Sequence, residues 1–95
     1  MSIVDRLRAI SVEIREVQVE SQILDEQILF QSDVAEDARI RALVSETPLA
    51  VRESTEASGD LALLRRARGD LARKLDELRA EQDRLLDKLG GAAGR

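Results

Sequence analysis

The fold is decided at residues 42–50, which read ALVSETPLA. Thr47 is a favourable N-cap residue, and Pro48 suits the first position of a helix, where its missing N–H costs nothing. Pro48 also disfavours helical geometry at the residue before it. One helix therefore ends and another begins at this break. We predict helix 1 over residues 2–46 and helix 2 over residues 48–89.

An apolar seam runs along each predicted helix, with spacings that alternate between three and four residues. That spacing is typical of a coiled coil. Folding the chain at the break brings the two seams together and predicts an all-α protein, a long antiparallel helical hairpin forming a single domain over residues 1–89. Large seam residues lie far from the break, and small ones lie next to it. The large residues of the hairpin seam are Leu7, Ile10, Ile14, Val17, Leu24, Ile28, Leu64, Leu71, Leu75, Leu78 and Leu85.

The glycines of helix 2 raise two questions: whether the helix bends at Gly59, and where it ends. Gly59 costs about 1 kcal/mol relative to alanine inside a helix, so a kink near residues 58–60 is one alternative. The other is a continuous helix, which we favour because the seam extrapolates backward onto Ala57, Ser54 and Ala50. Beyond Leu89, the Gly-rich segment 90–95 is expected to stop the helix and form a flexible tail.

Polar residues at the seam are expected to fix the register of the hairpin. Arg68 occupies a seam position, and a charge there needs a partner or an exit to water. Folding at the break places it near Glu26 and Asp25, and we predict an ion pair with one of them. Gln82, also at the seam, is expected near Glu13. Such residues specify register at some cost in stability.

Helix 1 also carries a second apolar stripe on the side opposite its seam. A helix that is apolar on two faces is usually buried on two faces. We predict self-association through this stripe, giving a homodimer that forms a four-helix assembly with both copies of helix 1 inside. Burial under a bent chain end, one groove that takes both stripes, and a helical partner in a hetero-oligomeric complex remain alternatives. The predicted oligomer interface comprises Val12, Val19, Ile23, Phe30 and Val34.

Composition excludes several kinds of chemistry. The chain has no histidine and no cysteine, so imidazole catalysis, thiol nucleophiles and thiolate or histidine metal sites are impossible. We therefore expect no enzyme activity, no catalytic residue, no cofactor and no metal site. A signal-peptide pattern and an apolar stretch of the ~18 residues that a bilayer crossing needs are both missing, which favours a cytoplasmic protein. The Leu- and Arg-rich, Lys-poor composition favours a GC-rich bacterial source.

A basic cluster in helix 2 provides an alternative, nucleic-acid binding. Phosphate contacts could use such a cluster. The chain is nevertheless acidic overall, with a net charge of −4, and its only aromatic residue, Phe30, lies far from the cluster in sequence. We therefore expect nucleic acid not to be a partner and the protein to be a structural adaptor, scaffold or regulator that acts through helix contacts. The cluster comprises Arg65, Arg66, Arg68, Arg73 and Lys74.

Overall fold

A computed structural model describes residues 2–93, and the side chains of residues 2–91. The protein is all-α, as predicted: α1 spans Ile3–Ser45 and α2 spans Pro48–Ala93, with no strand between residues 2 and 93. The two helices pair as an antiparallel helical hairpin, which confirms the predicted fold class.

The turn between the helices is two residues long and is capped from both sides. Glu46 adopts a left-handed backbone conformation with φ of 54°, and its N–H donates to the carbonyl of Ala42 at 3.1 Å. This bond ends α1 in the manner usually provided by glycine, and a residue with a Cβ pays about 1 kcal/mol for the conformation. Thr47 then caps α2, because its Oγ1 accepts a hydrogen bond from the N–H of Ala50 at 3.2 Å.

α2 is a single helix through Gly59. It also continues past the predicted end at Leu89, through Gly90 and Gly91 to Ala93, so the predicted start of the tail needs correction. Neither of these glycines has a positive φ. Each glycine therefore weakens the helix by about 1 kcal/mol without turning the chain out of it. Gly94 and Arg95, the rest of the predicted tail, lie outside the described residues.

Contacts divide the chain into two units, each formed by one part of α1 and one part of α2. The terminal unit is the described part of Met1–Ser21 with Asp70–Arg95, and the turn unit is Gln22–Gly69. The terminal unit has a core of large aliphatic side chains. Ile10, Val17 and Leu78 are buried there, with Ile14, Leu71, Leu75 and Leu85 packed against them.

A two-pronged ion pair joins the helices of the terminal unit beside this core. Nε and Nη2 of Arg6 donate to the two carboxylate oxygens of Glu81 at 2.9 and 2.7 Å, and Nη1 lies 3.5 Å from Glu13. Both side chains are about one-third exposed. Bidentate arginine–carboxylate pairs combine charge with fixed geometry, so this contact helps to set the register of the unit.

The turn unit has a core of small side chains instead. Ala35, Ala38 and Ala57 are buried together, and Val34 and Leu61 pack against them. Alanines at the contact let two helices approach more closely than leucines do, because the side chains set the interaxial distance. Polar contacts supplement this core: the amide of Gln31 donates to the carbonyl of Ala57 at 3.1 Å.

Replacing Gly59 by alanine should stabilise the protein. A Cβ at this position would meet nothing within 4 Å, and the glycine has no positive φ. We expect Gly59→Ala to raise the free energy of unfolding by about 1 kcal/mol, measured by urea denaturation. The reverse change at a neighbouring exposed site, Ala62→Gly, should lower it by a similar amount. A loss of stability in Gly59→Ala would show that the space around this residue is occupied in solution.

The ion pair between Arg6 and Glu81 should make the stability of the folded protein depend on pH. The hydrogen bond from Arg6 holds the pKa of Glu81 below its ordinary value of 4.5. A carboxyl with a lowered pKa in the folded state stabilises that state above its unfolded pKa, and this stabilisation is lost as the pH falls through the lowered value.

The expected result is that Glu81→Gln lowers the urea midpoint at about pH 7, and that this difference from wild type shrinks as the pH falls through the lowered pKa of Glu81. Glu77→Gln, a substitution at an exposed position one turn earlier on α2, serves as the control and should shift the midpoint much less. Parallel pH curves for wild type and Glu81→Gln would contradict the pairing.

Candidate interaction surfaces

In the terminal unit, two residues of the predicted interface stand out from the packed side of α1. Val12 is 45% exposed and Val19 is 58% exposed. They line a shallow groove of about 410 Å³ together with the charged side chains of Arg15, Glu16 and Glu20. The apolar strip of this unit is therefore narrow, and charged groups border it.

In the turn unit, the predicted interface borders a larger groove, which we call the side groove. It is lined by Ile23, Glu26, Gln27, Phe30, Gln31 and Leu64 and has a volume of about 540 Å³. Phe30, the only aromatic residue of the chain, is 71% exposed, and Ile23 is 50% exposed. Leu64, a predicted seam residue, is half-buried and shows one side to this groove.

Val34 lies elsewhere, although the sequence pattern groups it with the interface. It is half-buried and packs against the alanine core of the turn unit. The physical reason is the small size of Ala35, Ala38 and Ala57, which leaves room for a side chain at the flank of the seam to fold over them. We therefore omit Val34 from the candidate surface.

The polar seam residues have different surroundings. The Nε of Arg68 donates to Oδ1 of Asp25 at 2.7 Å, so the structure brings these two together. Glu26, the other acidic residue considered, is exposed and borders the side groove. Gln82 is half-buried in the terminal unit. Ser21, a further polar residue of α1, is buried, and within the described residues its hydroxyl has no hydrogen-bond partner.

The basic cluster is partly neutralised by neighbouring carboxylates. Arg68 is paired with Asp25, and Arg73 is paired with Asp70 one turn before it. Arg65 and Arg66 in the turn unit and Lys74 in the terminal unit are exposed. Two of the five cations are thus engaged within the chain, which reduces what the cluster can offer to phosphates.

A third surface, the turn groove, was missed by the sequence reasoning. It has a volume of about 360 Å³ and lies beside the hairpin turn. Both helices contribute to it, so periodicity along one helix cannot reveal it. The available signal was the run of large apolar residues flanking the break. Its lining comprises Ile40, Arg41, Val44, Ser45, Thr47, Leu49, Ala50 and Glu53.

Clusters of metal-ligating side chains are absent among the described residues. No group of three or more acidic side chains in the described part of the chain is placed to hold a metal ion. Neither α1 nor the described part of α2 contains an apolar stretch of the length and purity that a bilayer crossing requires. Comparison with protein families, curated proteins and solved structures finds no match to this chain.

Proposed function

We propose that this protein is a non-enzymatic scaffold that works by coiled-coil association, and that it self-associates through the outward apolar side chains of α1. One observation carries the proposal: Phe30 is 71% exposed on the side groove of the turn unit, next to the half-exposed Ile23. Large apolar patches are rarely left bare on soluble monomers and usually mark association sites. Aromatic side chains are also the residues that most often dominate such interfaces.

The surface area of the chain supports the same proposal. Its accessible surface is 6948 Å², whereas a compact monomeric protein of this mass exposes about 5,500 Å². The difference of roughly 1,500 Å² exceeds the ~800 Å² that each partner contributes to a standard protein–protein interface. Burial of ~800 Å² per chain in a dimer would remove about half of this excess.

The energetics of the exposed residues are sufficient for a stable pair. Complete burial of one large aliphatic or aromatic side chain stabilises a complex by ~1.5–3 kcal/mol. Val19, Ile23, Leu29 and Phe30 on α1 are each half or more exposed, so two copies together offer many such side chains. Their summed burial can offset the ~4–15 kcal/mol that association costs in lost freedom of motion.

The arrangement that fits these surfaces is a four-helix assembly with the two copies of α1 inside. Each α1 would then contact its own α2 through the seam and the second α1 through its outward side chains. A helix in this position is buried on two sides, which accounts for its two apolar stripes. A hetero-oligomeric complex would use the same surface with a different helical partner.

Nucleic-acid binding gains no support from the arrangement of the basic cluster. Arg68 and Arg73 are held by Asp25 and Asp70. These pairings reduce the positive charge that the cluster can offer to phosphate groups.

The self-association proposal predicts that one charge on the side groove dissociates the dimer. Ile23→Asp should shift the protein from dimer to monomer in sedimentation equilibrium, because each copy would bury an unpaired carboxylate. Leu86→Asp is the matched control: Leu86 is 49% exposed, against 50% for Ile23, but it lies on α2 in the terminal unit. This variant should keep the mass of the wild type.

Circular dichroism separates dissociation from unfolding, because the Ile23→Asp monomer should remain helical. A monomeric wild type would contradict the proposal, and so would a dimer that Ile23→Asp leaves intact at the same protein concentration. A wild type whose native mass includes a second kind of chain when it is purified from its source would replace the homodimer with the hetero-oligomeric alternative.

A further inference from the structure

We propose that two copies of α1 associate in antiparallel orientation, so that the terminal unit of each protomer lies against the turn unit of its partner. This inference rests on the proposed self-association and adds to it the orientation of the two copies and the charged residues that select it. Two strips of exposed side chains on α1, one in each unit, carry the inference, because they match when one of them is read in reverse.

The strip in the terminal unit, which we call the terminal strip, alternates cations with apolar side chains. Its members are four, three and four residues apart, a spacing that places them on one face of a helix. Three of them line the shallow groove of this unit, and the fourth, Arg8, is exposed one turn before that groove. In chain order the terminal strip comprises Arg8, Val12, Arg15 and Val19.

The strip in the turn unit, which we call the turn strip, alternates apolar side chains with carboxylates. Its members are three, four and three residues apart and so lie on one face of α1 as well. Three of them line the side groove, and the fourth, Asp33, is exposed three residues further along the helix. In chain order the turn strip comprises Ile23, Glu26, Phe30 and Asp33.

Antiparallel docking brings the apolar members of the two strips together in reverse order. Val19 then meets Ile23 of the other copy. Val12 meets Phe30 of the other copy, so the aromatic ring faces a small side chain instead of a second ring, and large side chains fill space best against small ones. The two apolar members are seven residues apart in each strip, so both contacts form in one register.

The charged members of the two strips then meet with opposite sign. Arg15 faces Glu26 of the other copy, and one turn further out Arg8 faces Asp33 of the other copy. All four side chains are exposed, and among the described residues none of them takes part in an ion pair. A two-fold symmetric dimer makes each contact twice, so the charges favour this partner and this orientation.

Charge segregation along α1 disfavours a parallel pair. From Glu16 to Ala38 the helix contains seven acidic residues and no basic one. A parallel partner would lay this acidic segment along its own copy, and the carboxylates of Glu26 and Asp33 would meet no cation. The antiparallel partner supplies an arginine to each of these two carboxylates. On the other edge of the strips, Glu16 faces the amide of Gln27 of the other copy, which can donate a hydrogen bond to it.

The test exchanges charges between the strips and measures dimerisation by sedimentation equilibrium. Arg15→Glu should raise the dissociation constant of the dimer about tenfold, because each dimer would then contain two facing pairs of carboxylates. Glu26→Arg should have a similar effect through two facing pairs of arginines. Arg66→Glu is the matched control: this arginine is also exposed and outside the ion pairs of the described residues, but it lies on α2. It should change the dissociation constant less than about twofold.

Mixing the two charge variants should restore the dimer. When one chain carries Arg15→Glu and the other carries Glu26→Arg, position 15 of each chain faces an opposite charge at position 26 of the other. Native mass spectrometry of an equimolar mixture should show mainly the heterodimer, at a concentration where each variant alone is mainly monomeric. Circular dichroism of each variant alone should show the helix content of the wild type.

Disulfide trapping measures the orientation directly, because the chain has no cysteine of its own. Val12→Cys mixed with Phe30→Cys should give a covalent heterodimer under mild oxidation. Val12→Cys alone should not, because antiparallel docking separates its two thiols by ~27 Å along the helix axes.

A covalent dimer of Val12→Cys alone would overturn the antiparallel arrangement in favour of a parallel one. A mixture of the two charge variants that stays monomeric would also overturn it. In either case a dimeric wild type would leave the self-association itself in place, whereas a monomeric wild type would overturn both proposals.

Discussion

A pair of helices can bury only one stripe of each partner, and this geometric constraint governs the surface of the whole protein. α1 carries more apolar residues than one stripe can hold. Ile10 and Val17 are buried against α2 in the terminal unit, and Ala35 and Ala38 are buried against it in the turn unit. Several other large apolar side chains of α1 are exposed, among them Val12, Val19, Ile23, Leu29 and Phe30. The proposed association follows from this excess.

The two units obtain their stability by different means. Large aliphatic side chains fill the core of the terminal unit, where the ion pair of Arg6 with Glu81 closes one side. Three alanines form the centre of the turn unit, and each buries little apolar area. Polar contacts between the helices, such as Gln31 with the carbonyl of Ala57, supplement this core. The turn unit also carries the side groove and the turn groove, whose linings include the most exposed apolar side chains. Association would compensate for the modest core of this unit.

The helical hairpin could be predicted because local chemistry decides it. Thr47 and Pro48 mark the start of α2 whatever the partner, and the three-four spacing of the seam requires two helices that face each other. The end of α2 was harder, because glycine lowers helix stability without forbidding it, and the helix continues through Gly90 and Gly91. A sequence pattern also does not distinguish Arg6 with Glu81 from other pairings of opposite charge along the two helices.

The candidate surfaces also differ in how far the sequence predicts them. An outward apolar stripe on α1 is visible in the sequence, because it depends on one helix alone. Val34 departs from it because its packing depends on how closely α2 approaches at Ala57. The turn groove requires both helices and the left-handed conformation of Glu46 between them, so it becomes visible only when the hairpin is built.

The central claim is that the exposed side of α1 is covered by another copy of the chain, and one substitution tests it directly. The protein has no tryptophan or tyrosine, so Phe30→Trp supplies a single fluorescent probe on the side groove. If the chain self-associates through this surface, the emission should move to shorter wavelength as protein concentration rises, because the indole leaves water. Emission typical of a water-exposed indole at every concentration would contradict the account.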